Sequence, residues 1–254
     1  MAGEPPRWFR CWRPVPQPRV RLVCFPHAGG TAGFFRTWAA GVAPDVEVLG
    51  VQYPGREDRI RETVPETMEC LADLVAEALG PVLDRPVALF GHSMGAAAAH
   101  LVAHRLEARA QAGVTRLFVS GRPAPLQDRG GSAHLLGDDE LWEELHRLGG
   151  TSEEVLDCPE LRRLVLPAVR ADYRLSETCR PAAGTLGCLV TAFLGDRDPE
   201  VTLDEAMGWA ETTRAGFALQ VFPGDHFYLV GQQAEVLRVI GRTLNAPGVK
   251  SPGR

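Results

Sequence analysis

Short apolar runs of strand length alternate with longer segments of helical periodicity along most of the chain. The strand-like runs are Val20–Phe25, Val46–Val51, Val87–Phe90, Leu117–Ser120, Leu189–Leu194 and Phe217–Phe222. The helix-like segments are Met68–Leu79, Met94–Ala112, Leu203–Thr213 and Ala234–Leu244. Alternation of this kind predicts an α/β fold, in which a mostly parallel sheet is covered by helices on both faces.

The interval between Ser120 and Leu189 breaks this alternation, because it holds no convincing strand although a simple crossover needs far fewer residues. Helical patterns occur instead at Asp138–Leu148 and Pro159–Leu175. In the second pattern, the apolar positions that recur at helical spacing are Leu161, Leu164, Val165, Ala168 and Val169. We predict a helical lid at about 121–188, over the sheet edge where open α/β sheets place their sites. The alternative is a structural flap without a role in substrate binding.

The length of 254 residues fits one large α/β domain better than two small ones, and we assign residues 19–245 to it. Residues 1–18, rich in proline and arginine, are predicted to form an N-terminal arm, and residues 246–254 a flexible tail. The first residues lack the apolar core of a signal peptide, and no run approaches the ~20 apolar residues of a membrane span. We therefore expect a cytoplasmic protein without a membrane partner.

Charge and cysteine usage argue against two further classes of function. The formal net charge is −5 and the pI is about 5.8, whereas a nucleic-acid-binding protein usually carries a basic excess or stripe. The six cysteines form no CxxC pair and no spacing typical of metal ligands. A disulfide framework is not expected in a chain of this length, which favours a reducing compartment. We expect neither a metal nor a nucleic-acid partner.

The strongest local pattern is Gly91-His92-Ser93-Met94-Gly95, which lies between an apolar run and a helix-prone alanine stretch. Strand, G-x-S-x-G and helix in this order are the context of a nucleophile elbow. The serine of such an elbow lies on a strained turn, so Gly91 and Gly95 must be nearly free of side chain. The following helix directs its N-terminal N–H groups at the reacting carbonyl. Ser93 is therefore the predicted nucleophile.

A serine nucleophile needs a histidine base, and an elbow of this kind has the chain order serine, acid, histidine. Three histidines follow Ser93 by more than a helix length, namely His134, His146 and His226. The first two fall in the predicted lid. His226 comes directly after the last strand-like run, in a loop at the carboxyl end of that strand. We predict His226 as the general base.

Two aspartates are the main candidates for the acid that orients the base. The run Leu189–Leu194 is followed by the letters GDRD at 195–198. We favour Asp198, since a Gly-x-x-Asp turn leaves its carboxylate room to reach back to the histidine. Asp196 is the alternative, and stabilisation of the turn is its other possible role. Asp225, adjacent to the base, is poorly placed to hold the far ring nitrogen and ranks third.

An oxyanion hole needs a backbone N–H from the elbow and a second N–H from a loop after an earlier strand. The run Val20–Phe25 leads into the letters PHAGG at 26–30. The paired glycines Gly29 and Gly30 let the backbone approach a substrate closely. We predict the N–H groups of Ala28 and Met94 as the two donors.

Five stretches of the chain resemble the type II thioesterases that accompany modular polyketide synthases and nonribosomal peptide synthetases. They are FPHAGGTAGFF at 25–35, VQYPGRE at 51–57, GHSMGA at 91–96, GDRDPEV at 195–201 and PGDHFYL at 223–229. In addition, LRRLVLPAVRADY at 161–173 resembles the lid of that family. The resemblance extends over roughly residues 8–245, and its first and last motifs are far more specific than G-x-S-x-G alone.

The resemblance implies an α/β-hydrolase fold and hydrolysis of acyl thioesters on the phosphopantetheine arm of a carrier protein. It implies the triad Ser93, Asp198 and His226, in agreement with the roles derived above, and the oxyanion donors Ala28 and Met94. The implied biology is editing in polyketide, nonribosomal peptide and antibiotic biosynthesis. The implied partners are an acyl carrier protein or carrier domain and a small acyl thioester, and no cofactor is required.

Other functions fit parts of the pattern. A small-molecule carboxylesterase or an acyltransferase of the same fold would use the same triad, so it is the flanking motifs that favour a thioesterase. A non-catalytic binding scaffold is disfavoured by the complete triad. Two arginine clusters are candidates for contact with an acidic carrier at the rim of the site, with ordinary solvated surface as the alternative. They are Arg56, Arg59 and Arg61, and Arg162 with Arg163.

Overall fold

The computed structural model describes residues 7–109, 113–128, 130–149 and 158–246. Its strands are β1 (Phe9–Arg10), β2 (Val20–Phe25), β3 (Val46–Val51), β4 (Val87–His92), β5 (Val114–Ser120), β6 (Leu189–Gly195) and β7 (Phe217–Phe222). Its α-helices are α1 (Trp38–Gly41), α2 (Met68–Ala78), α3 (Met94–Ala108), α4 (Asp138–Leu148), α5 (Pro159–Glu177), α6 (Leu203–Met207), α7 (Tyr228–Gly231) and α8 (Gln233–Asn245).

The strands form one sheet in the order β1-β3-β2-β4-β5-β6-β7. Strand β1 pairs antiparallel with β3, and all the other neighbouring pairs are parallel. Because the parallel strands run in one direction, the loops that follow β2, β4, β6 and β7 reach the same edge of the sheet. These loops carry the predicted oxyanion donors, nucleophile, acid and base.

Helices cover both faces of the sheet, as the alternating pattern predicts. On one face, α2 and α3 contribute Leu71 and Leu101 to a large buried cluster. On the other face, α1 and α8 contribute Trp38 and Ile240. Full burial of such a side chain stabilises the fold by about 1.5–3 kcal/mol. Coverage of both faces also explains why runs such as Val20–Phe25 are almost continuously apolar rather than alternating with polar residues.

Two long helices, α4 and α5, lie in the interval predicted to form the lid. They pack against each other through an apolar cluster of Leu141, Trp142, Leu145, Leu166 and Val169. Helix α4 is followed by Gly149, whose φ of 81° provides a left-handed end that favours glycine. Residues 150–157 between the two helices lie outside the described residues.

Three elements differ from the sequence expectation. Strand β1 lies inside the segment predicted as an arm, where it pairs Phe9 with Val51. It is only two residues long, which is too short for periodicity to reveal. The helix predicted over Leu203–Thr213 ends at Met207 and continues as a 3-10 turn, at a glycine that weakens α-helix. The helix predicted to end at residue 112 ends at Ala108, and residues 110–112 lie outside the described residues.

Candidate active site

Ser93 occupies a strained turn between β4 and α3. Its φ is 53° and its ψ is −119°. Among the described residues, two non-glycine residues have a positive φ, Ser93 and Glu57. The Ser93 N–H donates a hydrogen bond of 2.8 Å to the carbonyl oxygen of Ser120 at the end of β5. A left-handed φ at a serine costs free energy that the surrounding structure must supply, and such strain clusters at functional sites.

The elbow glycines are required by close backbone contacts. A Cβ atom added to Gly91 would lie 2.0 Å from the carbonyl oxygen of Gly95. A Cβ atom added to Gly95 would lie 2.1 Å from the carbonyl oxygen of Phe25 at the end of β2. Both separations are far below van der Waals contact and involve backbone that cannot rotate away. The G-x-S-x-G spacing therefore reflects the packing of β4, α3 and β2 at one point.

His226 and Asp198 meet above the carboxyl ends of β6 and β7. The His226 Nδ1 atom lies 3.0 Å from both carboxylate oxygens of Asp198. The two side chains are 3% and 0% exposed. The Glu200 N–H donates to Asp198 Oδ1 at 2.9 Å, which fixes the carboxylate. With Nδ1 held by the carboxylate, the other ring nitrogen of His226 is left for acid–base chemistry.

The other two candidate acids make local contacts instead. Asp196 Oδ1 accepts a hydrogen bond of 2.8 Å from the Gly224 N–H, which joins the loops after β6 and β7. Asp225 Oδ1 accepts one of 2.9 Å from the Phe227 N–H within its own turn. Both contacts stabilise turns. Among the three aspartates, Asp198 is therefore the one that the structure places against the ring of His226.

Ser93 and His226 line one cavity of about 370 Å³, together with Ala28. The helices α4 and α5 form its roof, to which they contribute Leu145, Leu148, Tyr173 and Ser176. The sequence places these elements far apart along the chain, from the loop after β2 to the loop after β7. The topology thus brings the predicted nucleophile, the predicted base and the predicted oxyanion loop (residues 26–30) to one cavity lined by α4 and α5.

Three carboxylates line this cavity near the phenol of Tyr173. Burial raises the pKa of the Tyr173 phenol, and the charges of Glu144, Glu200 and Glu177 raise it further. All four of these residues line the cavity. Arg147 of α4 lies 2.6 Å from the carboxylate of Glu144 on the same helix and 2.6 Å from that of Glu200 in the loop after β6. An ion pair therefore connects α4 to the loop that carries Asp198.

The backbone N–H groups near the predicted oxyanion site differ in whether they have an acceptor within the protein. In the loop after β2, the N–H of Gly29 donates to Asp172 and that of Gly30 donates to the carbonyl of His27. The N–H groups of Ala28 and Met94 have no protein acceptor within the described residues. Ala28 lines the cavity and Met94, the first residue of α3, directly follows Ser93, so the assignment of these two N–H groups as oxyanion donors stays a prediction.

Two further histidines lie near the ring of His226, with His92 next to it and His27 next to His92. The ring centroid of His92 lies 4.9 Å from that of His226 and 6.0 Å from that of His27. Burial, and then the charges of His226 and Arg56, lower the pKa of His27 to about 3. Burial also places the pKa of His92 well below its usual range. Both rings are therefore neutral near pH 7, and His92 Nδ1 lies 2.9 Å from the Ser120 hydroxyl.

Two of the three arginines in the first cluster are buried and were wrongly expected at the rim. Arg56 and Arg59 are only 6% and 5% exposed. Arg59 stacks on Trp8, with its guanidinium carbon 3.9 Å from a ring centroid, and donates to the carbonyl of Gln52 at 2.7 Å. Arg61 is exposed. The two arginines are buried because their guanidinium groups find a carboxylate, carbonyl or aromatic partner inside the fold.

Asp172 on α5 is a site residue that the sequence analysis missed. Its two oxygens accept from Arg56 Nη1 and Nη2 at 2.6 and 2.7 Å. A signal was present, because Asp172 continues the apolar spacing of Val165, Ala168 and Val169 along the same helix. A carboxylate on the buried face of a helix requires a partner, and this predicts an arginine nearby.

The second arginine cluster lies on the outer surface of the lid. Arg162 forms an ion pair of 2.5 Å with Asp139 of α4 and lies near the Trp142 ring. Arg163 is 76% exposed and makes only a long contact of 3.4 Å with Glu160. Of the predicted rim arginines, Arg163 and Arg61 are therefore the ones that a partner can reach.

Residues 20–244 match the family model described as the thioesterase domain. The chain belongs to the thioesterase family. The probable cadicidin biosynthesis thioesterase of Streptomyces griseus is 43% identical over 240 residues, which are 94% of this chain and 66% of that protein, slightly less than two thirds. Thioesterase PikA5 of Streptomyces venezuelae is 44% identical over 232 residues, which are 90% of this chain and 82% of that protein.

A solved structure extends this likeness to three dimensions. The type II thioesterase BorB from the borrelidin biosynthetic cluster matches with a TM-score of 0.88 at 45% identity, over 94% of this chain and 98% of that chain. The predicted α/β-hydrolase fold and the resemblance to type II thioesterases are thus confirmed. This thioesterase is a thioester hydrolase of the serine hydrolase class.

The described residues contain neither a candidate membrane span nor a candidate metal cluster. No helix in those ranges is both long and apolar enough to cross a membrane. In the same part of the chain, no group of three or more histidine, cysteine, aspartate or glutamate side chains is arranged to hold a metal ion.

The elbow geometry leads to a stability test. Gly95→Ala should lower the melting temperature sharply or prevent folding, because its Cβ would overlap the Phe25 carbonyl at 2.1 Å. Overpacking of this kind typically costs ~1–3 kcal/mol, and here no side chain can move aside. Gly241→Ala is the matched control, since a Cβ there meets nothing within 4 Å and lies inside α8. Equal melting temperatures for the two variants would contradict the steric account.

Proposed function

We propose that this thioesterase hydrolyses acyl groups from the phosphopantetheine arm of carrier proteins through an acyl-serine intermediate on Ser93. One observation carries the proposal. The His226 ring is held by both oxygens of the buried Asp198, in a cavity that it shares with a serine on a strained elbow. Nucleophile, base and acid in this relation form the arrangement by which serine hydrolases activate a hydroxyl group.

The chemistry follows in two halves. His226 takes the proton of Ser93 while the serine oxygen attacks the thioester carbonyl, and Asp198 stabilises the imidazolium that forms. The Ala28 and Met94 N–H groups donate to the oxyanion of the tetrahedral intermediate. The intermediate collapses with cleavage of the C–S bond, and the His226 imidazolium returns its proton to the departing sulfur. The thiol of the arm has a pKa near ~8.5, so it leaves more readily than an alkoxide. Water, activated by the same histidine, then hydrolyses the acyl-serine.

Substrate and biological role are supported by the relatives and by the cavity. The Streptomyces griseus relative is named as a probable biosynthesis thioesterase and PikA5 as a thioesterase. BorB is named as a type II thioesterase from a biosynthetic cluster. A cavity of about 370 Å³ suits a short acyl group. We infer that the enzyme removes stalled acyl groups from the carriers of a polyketide or nonribosomal peptide synthase. A cytoplasmic location agrees with the six free cysteines.

The nucleophile is tested by Ser93→Ala. Loss of the serine oxygen should lower kcat by ~10⁴–10⁶, since the members of a triad act as a unit. The variant should also fail to react with a fluorophosphonate probe, which labels activated serines. The measurement is the hydrolysis rate of a propionyl pantetheine thioester beside labelling detected by mass spectrometry. Retention of more than about a tenth of wild-type activity would show that the nucleophile is misassigned.

The acid is tested by comparing two isosteric substitutions in one loop. Asp198→Asn should lower kcat by ~10²–10⁴, because the neutral amide no longer holds His226 in its productive tautomer. Asp196→Asn is the matched control and should cost much less, since its contact is with the Gly224 N–H. Both variants should keep the wild-type melting temperature to within a few degrees. A larger effect at position 196 would reverse the assignment.

The carrier is tested by the salt dependence of two substrates. We expect a higher kcat/KM for propionyl-carrier than for propionyl-CoA at low salt, with the difference falling as ionic strength rises, because exposed rim charges mainly steer association. Arg163→Glu should lower kcat/KM for the carrier substrate alone. Arg242→Glu, an exposed arginine on α8, is the control. Equal kcat/KM values for the two substrates at both ionic strengths would leave a general short-chain thioesterase.

A further inference from the structure

The oxyanion loop is held from two sides by a buried ion pair. The Gly29 N–H, next along the chain from Ala28, donates to Asp172 Oδ2 at 2.8 Å. The carbonyl oxygen of the following residue, Gly30, accepts from Arg56 Nη1 at 3.0 Å. Arg56 and Asp172 bind each other through two parallel hydrogen bonds. Each partner thus contacts the loop and also fixes the other partner.

These contacts join segments that are remote in sequence. Asp172 comes from α5 and is 1% exposed, whereas Arg56 follows β3 and also donates to the carbonyl of Pro54 at 3.2 Å. The separations along the chain are 116 residues between the two charged partners and 143 between Gly29 and Asp172. The pair is therefore the point at which lid helix, β3 loop and oxyanion loop meet.

The lid helix also touches the same loop through an apolar contact. Gly29 has a φ of 75°, and a Cβ atom there would lie 3.1 Å from Val169 Cγ2. Val169 and Asp172 are three residues apart, so they lie on one face of α5. One face of the lid helix therefore provides both the packing surface and the hydrogen-bond acceptor for Gly29.

Stability alone is a poor explanation for such a pair. Two charges taken out of water incur a desolvation penalty that often equals or exceeds their attraction, and apolar replacements of similar volume are often as stable. An apolar pair would leave the Gly29 N–H and the Gly30 carbonyl without their partners. What the ion pair supplies uniquely is the orientation of these two peptide groups.

We propose that Asp172 and Arg56 are positioning residues that hold the Ala28 N–H in the orientation required for oxyanion binding. The proposal rests on the proposed function, in which Ala28 is an oxyanion donor. Neither residue touches the reacting atoms. Their loss displaces the Ala28 donor, so the acylation rate falls while binding of the ground-state substrate changes little.

The test compares stability with catalysis in matched variants. Asp172→Ala leaves a buried arginine unpaired, so both the melting temperature and kcat should fall. The double variant Arg56→Met with Asp172→Leu removes both charges and should regain much of the melting temperature. Its kcat for a propionyl pantetheine thioester should stay ~10²–10³-fold low, the cost of losing one oxyanion donor, with KM within about threefold of wild type.

A conservative variant and a control complete the design. Arg56→Lys keeps the charge but cannot form the two parallel hydrogen bonds to Asp172 while it also reaches the Gly30 carbonyl. It should fold and should lose at least about tenfold in kcat, a part of the full cost of one donor. Asp138→Asn neutralises a carboxylate that pairs with Arg170 of α5, away from the oxyanion loop, and should keep wild-type kcat.

The outcomes separate the positioning proposal from the proposed function. Wild-type kcat in the folded double variant would overturn the positioning role. If that variant does not fold, wild-type kcat in Arg56→Lys would overturn it instead. Ser93→Ala is measured on the same substrate. An active Ser93→Ala variant would contradict the proposed function itself. An inactive Ser93→Ala variant, together with fully active Arg56 and Asp172 variants, would contradict the positioning proposal alone.

Discussion

Contact between backbone atoms at the Ser93 turn is the constraint on which the rest of the site depends. Strand β4, helix α3 and the end of β2 approach so closely that the positions of Gly91 and Gly95 leave no space for a side chain. At this turn Ser93 has a left-handed φ, and α3 begins at the next residue. The close approach also brings the oxyanion loop after β2 beside the elbow, since Gly95 packs directly on Phe25. Sheet order and site geometry are therefore two aspects of one packing arrangement.

Most of the fold was predictable because the sheet is covered on both faces. Buried strands are then almost continuously apolar, so runs such as Leu189–Leu194 stand out without any alignment. The glycines of the elbow were equally predictable, because close backbone approach permits no other residue. Strand β1 was not predictable. Its two residues are held by pairing with β3 rather than by any pattern of their own.

The burial of Arg56 and Arg59 could not be predicted from the neighbouring sequence alone. Arginine is usually exposed, so the sequence predicted Arg56 and Arg59 at the surface. Arg56 is buried instead because it pairs with a carboxylate 116 positions away. The lone detectable clue lay in the helix periodicity of Asp172. Spacing favoured Asp198 over Asp196, but it could not show which of the two carboxylates the loop after β7 meets. Periodicity can therefore mark a buried carboxylate, but it does not identify the distant residue with which that carboxylate pairs.

The neutral rings beside His226 have a consequence for where a proton can travel. His27 and His92 flank the proposed base, yet burial makes each a far weaker base than a solvated imidazole. A proton that His226 accepts therefore cannot be passed sideways into a histidine relay. In the proposed mechanism the ring returns its proton to the departing sulfur in the first half of the turnover and to the Ser93 oxygen in the second. In the proposed mechanism His226 alone therefore accepts and returns the proton, one proton in each half of the turnover.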